Sequence, residues 1–167
     1  FLFNSINTIV SLIRTSPEKA RDLLVKLGAY FRNSLYHSDE IFLSDEIQNI
    51  KNYLEIEKAR FGDKLNVLID VSENLNCMIP PFTLQPLVEN ALKHGLFPRI
   101  EGGSIEIRGE KEGENIRLTV KDNGVGIEEN KLKTLLDDTE YSKSVGIKNV
   151  NKRLICKYGD SYGLRLE

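Results

Sequence analysis

Ile116-Arg117-Leu118-Thr119-Val120-Lys121-Asp122-Asn123-Gly124-Val125-Gly126-Ile127 is the stretch from which the fold of this chain is read. Ile116, Leu118 and Val120 alternate with polar residues, the two-residue period of a half-buried strand. Just upstream, Ile105 and Ile107 make a matching run, and the charged, glycine-containing Glu110–Glu114 joins the two as a β-hairpin. The second strand leads directly into Asp-Asn-Gly-x-Gly. A carboxylate at a strand end can accept a hydrogen bond from an exocyclic amine such as that of adenine. Gly124 and Gly126 let the backbone approach a flat ring closely. Read alone, Asp122-Asn123-Gly124 is equally an ordinary turn.

Two further stretches flank it. Upstream lies Leu84-Gln85-Pro86-Leu87-Val88-Glu89-Asn90-Ala91-Leu92-Lys93-His94-Gly95, within a segment, about 83–95, expected to be helical. On a helix, Asn90, Lys93 and His94 share a face, while Leu84, Leu87, Val88 and Ala91 hold the other to a core. An amide oxygen suits Mg²⁺, which takes hard oxygen donors and keeps waters and phosphate ligands. A lysine one turn later can meet phosphate oxygens. The same pattern is also that of any amphipathic helix with a polar face. Downstream, Ser144-Val145-Gly146-Ile147-Lys148-Asn149-Val150 places a glycine at the opening of a helix, about 146–157, after a polar loop. Helix-start amides bind phosphate, although a lone glycine there is weak support.

Outward from this centre the chain reads as helices followed by an α/β unit. Leu65, Val67, Ile69 and Val71 alternate as another strand, and Pro80-Pro81 interrupts the chain before the polar-faced helix. A helix near 128–138, a loop near 139–145 and a short strand at Leu164–Leu166 are expected. Before Gly62 the only glycine is Gly28, and three amphipathic helices fit there. The first carries Leu2, Ile6, Ile9 and Ile13. The second opens with Ser16-Pro17-Glu18, a cap, a first-turn proline and an acid facing the helix dipole. After the polar break at His37-Ser38-Asp39-Glu40, Ser44-Asp45-Glu46 is expected to cap the third. These faces pack on one another or on a partner.

Composition limits what such a chain can do. Its 167 residues are 40% hydrophobic and 29% charged, enough to bury a core. The 23 Lys and Arg against 25 Asp and Glu give a formal charge of -2, so there is no electrostatic footing for nucleic acid. No apolar run reaches the roughly 18 residues of a membrane helix. Cys77 and Cys156 have no metal-like spacing and point to a reduced cytosolic setting. Phe1-Leu2-Phe3-Asn4 is neither a signal peptide nor an initiator start, so the chain is expected to be cut from a longer one.

Taken in order, a helix with Asn90, then Asp-x-Gly-x-Gly 32 residues on, then a helix-opening glycine 24 residues later, resemble the ATP-binding domain of the GHKL superfamily. Neither a P-loop nor a dinucleotide fingerprint occurs. Phe1-Leu2-Phe3-Asn4-Ser5-Ile6-Asn7, Tyr53-Leu54-Glu55-Ile56-Glu57, Arg60-Phe61-Gly62 and Pro80-Pro81-Phe82-Thr83-Leu84-Gln85-Pro86-Leu87-Val88-Glu89-Asn90 are similar to LytS/YesM-type sensor histidine kinases, over about 1–62 and 80–163.

The resemblance implies an α+β chain. Residues 1–62 would be a helical dimerisation and phosphoacceptor region, and residues 63–167 a GHKL (Bergerat-type) α/β sandwich that binds ATP. It implies Asn90 as the Mg²⁺ ligand, with Lys93 and His94 on the nucleotide side of the same helix. Asp122 would contact adenine, Gly124, Gly126 and Ile127 would form the adenine-pocket loop, and Ser144, Gly146 and Ile147 would lie phosphate-side after an ATP lid at about Asn130–Val145. In that family the phosphorylated histidine immediately precedes Phe-Leu-Phe-Asn, and carboxy-terminal strands follow. Both are expected to lie outside this chain, as if it were truncated at both ends. His94 and His37 are not expected to be acceptors.

The implied function is that of the cytoplasmic kinase core of a membrane sensor. Such a core is a homodimer through its first helices, passing the γ-phosphoryl of Mg-ATP to histidine and then to the aspartate of a response regulator. Two alternatives stay open. One is a non-catalytic nucleotide-binding dimerisation module. The other is an ATP hydrolase of the gyrase or Hsp90 type, disfavoured because Pro86 stands where a water-activating glutamate is needed, and Pro86 cannot act as a base.

Overall fold

A computed structural model of the chain describes residues 1–34, 38–72, 74, 75, 77–128, 132 and 145–167. Three helices lead, α1 (Leu2–Leu12), α2 (Pro17–Ser34) and α3 (Leu43–Phe61). Pro17 takes the first position of α2 with Glu18 behind it, as the sequence indicated. Gly62 ends α3 at φ 61°, a left-handed conformation that glycine adopts without cost. A two-residue strand β1 (Ile41–Phe42) precedes α3 and pairs antiparallel with β3 (Met78–Ile79).

The principal sheet has three strands in the order β2 (Leu65–Val71), β4 (Gly103–Glu112), β5 (Asn115–Asp122). β2 runs parallel to β4, so a crossover must join them, and the crossover carries α4 (Gln85–Asn90) and a π-helix (Ala91–Leu96). β4 and β5 form the expected hairpin, closing at Gly113-Glu114 with Gly113 at φ 61°. Helix α5 (Val145–Tyr158) follows.

One face of the sheet is apolar and covered by helices. Leu65, Ile105 and Ile107 pack with Ile47, Ile50 and Leu54 of α3 and with Val88, Leu92 and Leu96 of the crossover. The same cluster extends to Tyr30 on α2. A second cluster, Ile9, Ala20, Leu23, Leu27 and Ile56, ties α1 and α2 to α3. The architecture is thus α+β, with leading helices continuous with a helix-on-sheet sandwich. α1 departs from its expected stripe. Of Leu2, Ile6, Ile9 and Ile13 only Ile9 is buried, and Phe3, Ile6, Val10 and Ile13 form an uncovered apolar face.

Three local expectations are corrected. α3 starts at Leu43 without a side-chain cap, so Ser44 lies inside its first turn. The Leu43 amide is already satisfied by the Cys77 carbonyl at 2.9 Å, an extension of the β1–β3 pairing. The segment 83–95 is not one α-helix: it starts at Gln85 and changes to i→i+5 winding after Asn90, so Asn90, Lys93 and His94 do not lie on one straight α-helical stripe. Leu164–Leu166 is not a strand; the Leu164 amide donates to Asn151 Oδ1 at 2.7 Å instead of to a neighbouring strand. The expected elements near 128–138 and 139–145 fall almost wholly outside the described residues.

α4 begins without a capping side chain of its own. Its first amides are met by Glu46 of α3, whose Oε1 accepts from Leu84 at 2.7 Å and Gln85 at 3.1 Å. Glu46 is only 2% exposed. Burial pushes its carboxyl above the ordinary value, outweighing the opposite effects of the two amides and of Arg153. Replacing Glu46 by Ala strands two buried donors and should lower stability by about 2 to 4 kcal/mol in urea unfolding. A raised folded-state value means that Glu46 contributes its stability fully below its ordinary 4.5 and loses it as pH rises through the folded value. The isosteric Glu46→Gln cannot ionise. Its urea midpoint should therefore gain on that of the unsubstituted chain as pH is raised above 4.5, and a constant difference across that range would contradict the assignment.

Candidate functional site

The site residues are distributed at the two ends of the α4–π segment. At the near end, Asn90 Nδ2 donates to the Pro86 carbonyl at 2.8 Å. This fixes the amide and leaves its oxygen as the outward donor, the atom a hard cation requires. Gly146, in the first turn of α5, lies across from it: a Cβ there would come 3.5 Å from Pro86 Cβ and 3.8 Å from Asn90 Nδ2. The first turn of α5, whose opening amides have no partner within the helix, therefore packs beside Pro86 and Asn90. Ile147 is buried and anchors α5 to the core, so only its backbone is available to a ligand.

At the far end, the glycine loop after β5 folds onto the end of the π-helix. The Val125 amide donates to the Gly95 carbonyl at 3.0 Å, and the Gly124 amide donates to Asp122 Oδ1 at 2.9 Å. A Cβ on Gly95 would sit 2.5 Å from Asp122 Oδ1, and one on Gly124 would run into the Gly95 backbone. Two glycines are needed because two backbones meet with no room for side chains. Asn123 continues the strand ladder by accepting from the Ser104 amide at 2.7 Å, while its carbonyl accepts from Arg99. Asp122 is exposed with one oxygen tied back to the loop. Beside it Val125 and Ile127 are 60% and 51% exposed, an apolar edge next to a carboxylate. Gly126 stands in open space at φ 73°.

The structure thus brings Asn90 together with Gly146, and Asp122 together with Gly124. Lys93 and His94 are exposed and make no hydrogen bond or ion pair among the described residues. Ser144, His37 and, apart from Leu132, the lid segment up to 144 lie outside the described residues. Gly95 is a packing residue that the sequence reading quoted without assigning it a role; a glycine ending a helical run ahead of a glycine loop was the available signal. No group of three His, Cys, Asp or Glu side chains able to hold a metal occurs among the described residues. A cation at Asn90 would draw its remaining ligands from phosphate and water, which suits Mg²⁺ bound with a nucleotide.

Residues 1–65 match the histidine kinase family, and residues 82–164 match the histidine kinase-, DNA gyrase B- and HSP90-like ATPase family. The sensor histidine kinase YpdA of Escherichia coli is 38% identical over 167 residues, covering 99% of this chain and 30% of that protein. The sensor protein LytS of Staphylococcus haemolyticus is 39% identical over 173 residues, covering 100% of this chain and 30% of that protein. The sensor histidine kinase/phosphatase LytS of Staphylococcus aureus is 39% identical over 175 residues, again 100% of this chain and 30% of that protein. The chain therefore spans under a third of the length of these relatives. With a histidine kinase region at its front and a histidine kinase-, DNA gyrase B- and HSP90-like ATPase domain behind it, the chain belongs to the histidine kinases, and it is similar end to end to both LytS proteins.

Proposed function

We propose that the chain is the kinase core of a two-component sensor, binding Mg-ATP between α4, α5 and the loop after β5. The observation that carries this reading is the pairing of Asn90 with Gly146. Asn90, its amide nitrogen held by the Pro86 carbonyl, and the opening turn of α5 lie side by side, so that a polyphosphate and its cation could be met from both. Bound Mg-ATP supplies the γ-phosphoryl group. Asn90 holds the metal side through its oxygen, the amides from Gly146 onward receive phosphate charge, and Asp122 accepts from the adenine amine with its outer oxygen. Val125 and Ile127 offer apolar contact to the ring. These residues position and neutralise, which is most of what phosphoryl transfer demands of a protein.

The acceptor in this reading is a histidine just upstream of Phe1, and an aspartate on a response regulator receives the group next. The uncovered face of α1, Phe3, Ile6, Val10 and Ile13, recurs at steps of three, four and three, the spacing of a helix seam. A second copy of the chain is its proposed cover, giving a homodimer. No helix among the described residues is long and apolar enough to cross a membrane. In this proposal the core lies on the cytoplasmic side of its parent sensor.

Two measurements test the reading. Asn90→Ala should abolish most of the Mg²⁺-dependent gain in ATP affinity in calorimetry while leaving metal-free binding nearly intact; equal loss with and without Mg²⁺ would remove Asn90 from the metal site. Incubated with labelled ATP and Mg²⁺, the chain should acquire no acid-labile phosphohistidine, whereas a parent chain extended through the upstream histidine and the carboxy-terminal strands should. If that extended chain binds ATP but stays unlabelled, the non-catalytic module is the better description.

A further inference from the structure

A buried polar network joins α2, α3 and α4 away from the residues assigned to the ligand. Tyr30 Oη donates to Glu89 Oε1 at 3.0 Å and accepts from Gln85 Nε2 at 2.7 Å. Gln85 Nε2 also reaches Glu89 Oε1, at 2.9 Å. Asn49 of α3 donates to Gln85 Oε1 at 2.9 Å. Tyr30, Asn49 and Gln85 are all buried. Such groups are costly when unpaired and, once mutually satisfied, hold a single arrangement.

The placement of this network on α4 gives it a consequence. Gln85 and Glu89 are four residues apart, on one face, so the network grips that face and sets the rotation of α4 about its axis. Asn90 is the next residue, about 100° further round. Its amide oxygen points where the grip on Gln85 and Glu89 allows. α4 has only six α-helical residues before the winding changes, so length alone does not fix its rotation. Tyr30 is itself held by Phe1, at the start of α1, edge-on at 5.1 Å, and by Tyr53 of α3, stacked at 5.8 Å.

Building on the kinase reading, we propose that Tyr30 is a positioning residue: its hydroxyl orients Asn90 toward the nucleotide-bound cation and ties that orientation to Phe1, the residue that leads into α1. The metal-binding helix and the helix nearest the proposed acceptor then share one register mark. A displacement of the α1 start is transmitted through the Phe1 and Tyr30 rings to Gln85 and Glu89, and so to the Asn90 amide.

Tyr30→Phe keeps the ring and deletes the hydroxyl. ATP binding to the chain is measured by calorimetry with and without Mg²⁺. The Mg²⁺-dependent gain in affinity should fall about five- to tenfold, a net loss within the ordinary range for removing a hydrogen-bonding hydroxyl, while metal-free affinity stays within about twofold. In an Asn90→Ala background the same substitution should cost nothing further, since the two residues act through one contact. Phe1→Ala, which removes a 38% exposed ring from beside Tyr30, should reproduce the selective loss at smaller size. An unchanged Mg²⁺ gain in Tyr30→Phe, or an equal loss with and without Mg²⁺, would show that Tyr30 is packing only, with the kinase reading left standing. Absence of any ATP binding by the unsubstituted chain would instead overturn that reading, and this inference with it.

Discussion

The structure depends on how the start of α4 is held. The turn before it contains Pro80 and Pro81, and places Phe82 at φ 58°, a left-handed conformation unusual for an aromatic residue. No side chain within the turn caps the helix; Thr83 Oγ1 is engaged with the Pro80 carbonyl at 2.6 Å. The helix amides are satisfied by Glu46, 38 residues earlier in the chain, and the Phe82 carbonyl accepts from Arg153 of α5 at 2.7 Å. Three elements therefore converge on one strained turn. Glu46 Oε2 and Arg153 Nε are both buried with no hydrogen bond among the described residues, so the arrangement carries a desolvation cost that the surrounding core must offset. Moving α3 or α5 moves α4, and with it Asn90.

That constraint explains which features were legible in the sequence. Period-two runs made β2, β4 and β5 readable, because each has one face against the α3–α4 layer and one toward solvent. The hairpin followed from a glycine between alternating runs. Asp122, Gly124 and Gly146 were readable because their chemistry is local: a carboxylate at a strand end, glycines where backbones crowd, a glycine opening a helix. The features that escaped depend on distant partners. Nothing near Leu84 announces that Glu46 will cap it, and nothing near Ile41 announces a two-residue bridge to Ile79. Ser44 looked like a cap because its type and spacing fit, yet the Cys77 carbonyl had already taken the amide that would have made one necessary. The run Leu164–Leu166 alternates as a strand does, but alternation specifies a face and not a partner.

The change from α to π winding after Asn90 shows how a core can override local preference. Leu92 and Leu96 are buried four residues apart, and Gly95 must meet both Asp122 and Gly124. The wider turn carries Gly95 to the glycine loop while keeping both leucines inward. The Phe97 amide closes on the Leu92 carbonyl at 2.8 Å, so the backbone remains paired despite the altered winding. Its consequence is that Lys93 and His94 turn out to solvent. Residues that a regular helix would align with Asn90 are released from that alignment by a packing demand at the end of the segment.

The leading helices divide their labour in a way that follows from burial. α3 is committed on nearly every side: Ile47, Ile50 and Leu54 to the sheet core, Ile56 to α1 and α2, Glu46 to the α4 turn, Asn49 to Gln85. Its exposed stripe, Ser44, Gln48, Lys51, Glu55 and Lys58, is polar, and the helix behaves as the beam joining both regions. α1 is the opposite. Ile9 and, partly buried, Leu12 tie it to the second cluster, Phe1 just before it meets the rings of Tyr30, Phe31 and Tyr53, and Phe3 is 84% exposed. Its other face, with Phe3, Ile6, Val10 and Ile13, is not covered by the described residues. Yet the point at which it is held, the Phe1–Tyr30 contact, is one hydrogen bond from Glu89 and one residue more from Asn90. A helix with one uncovered apolar face is therefore also linked by a short path to the proposed metal ligand.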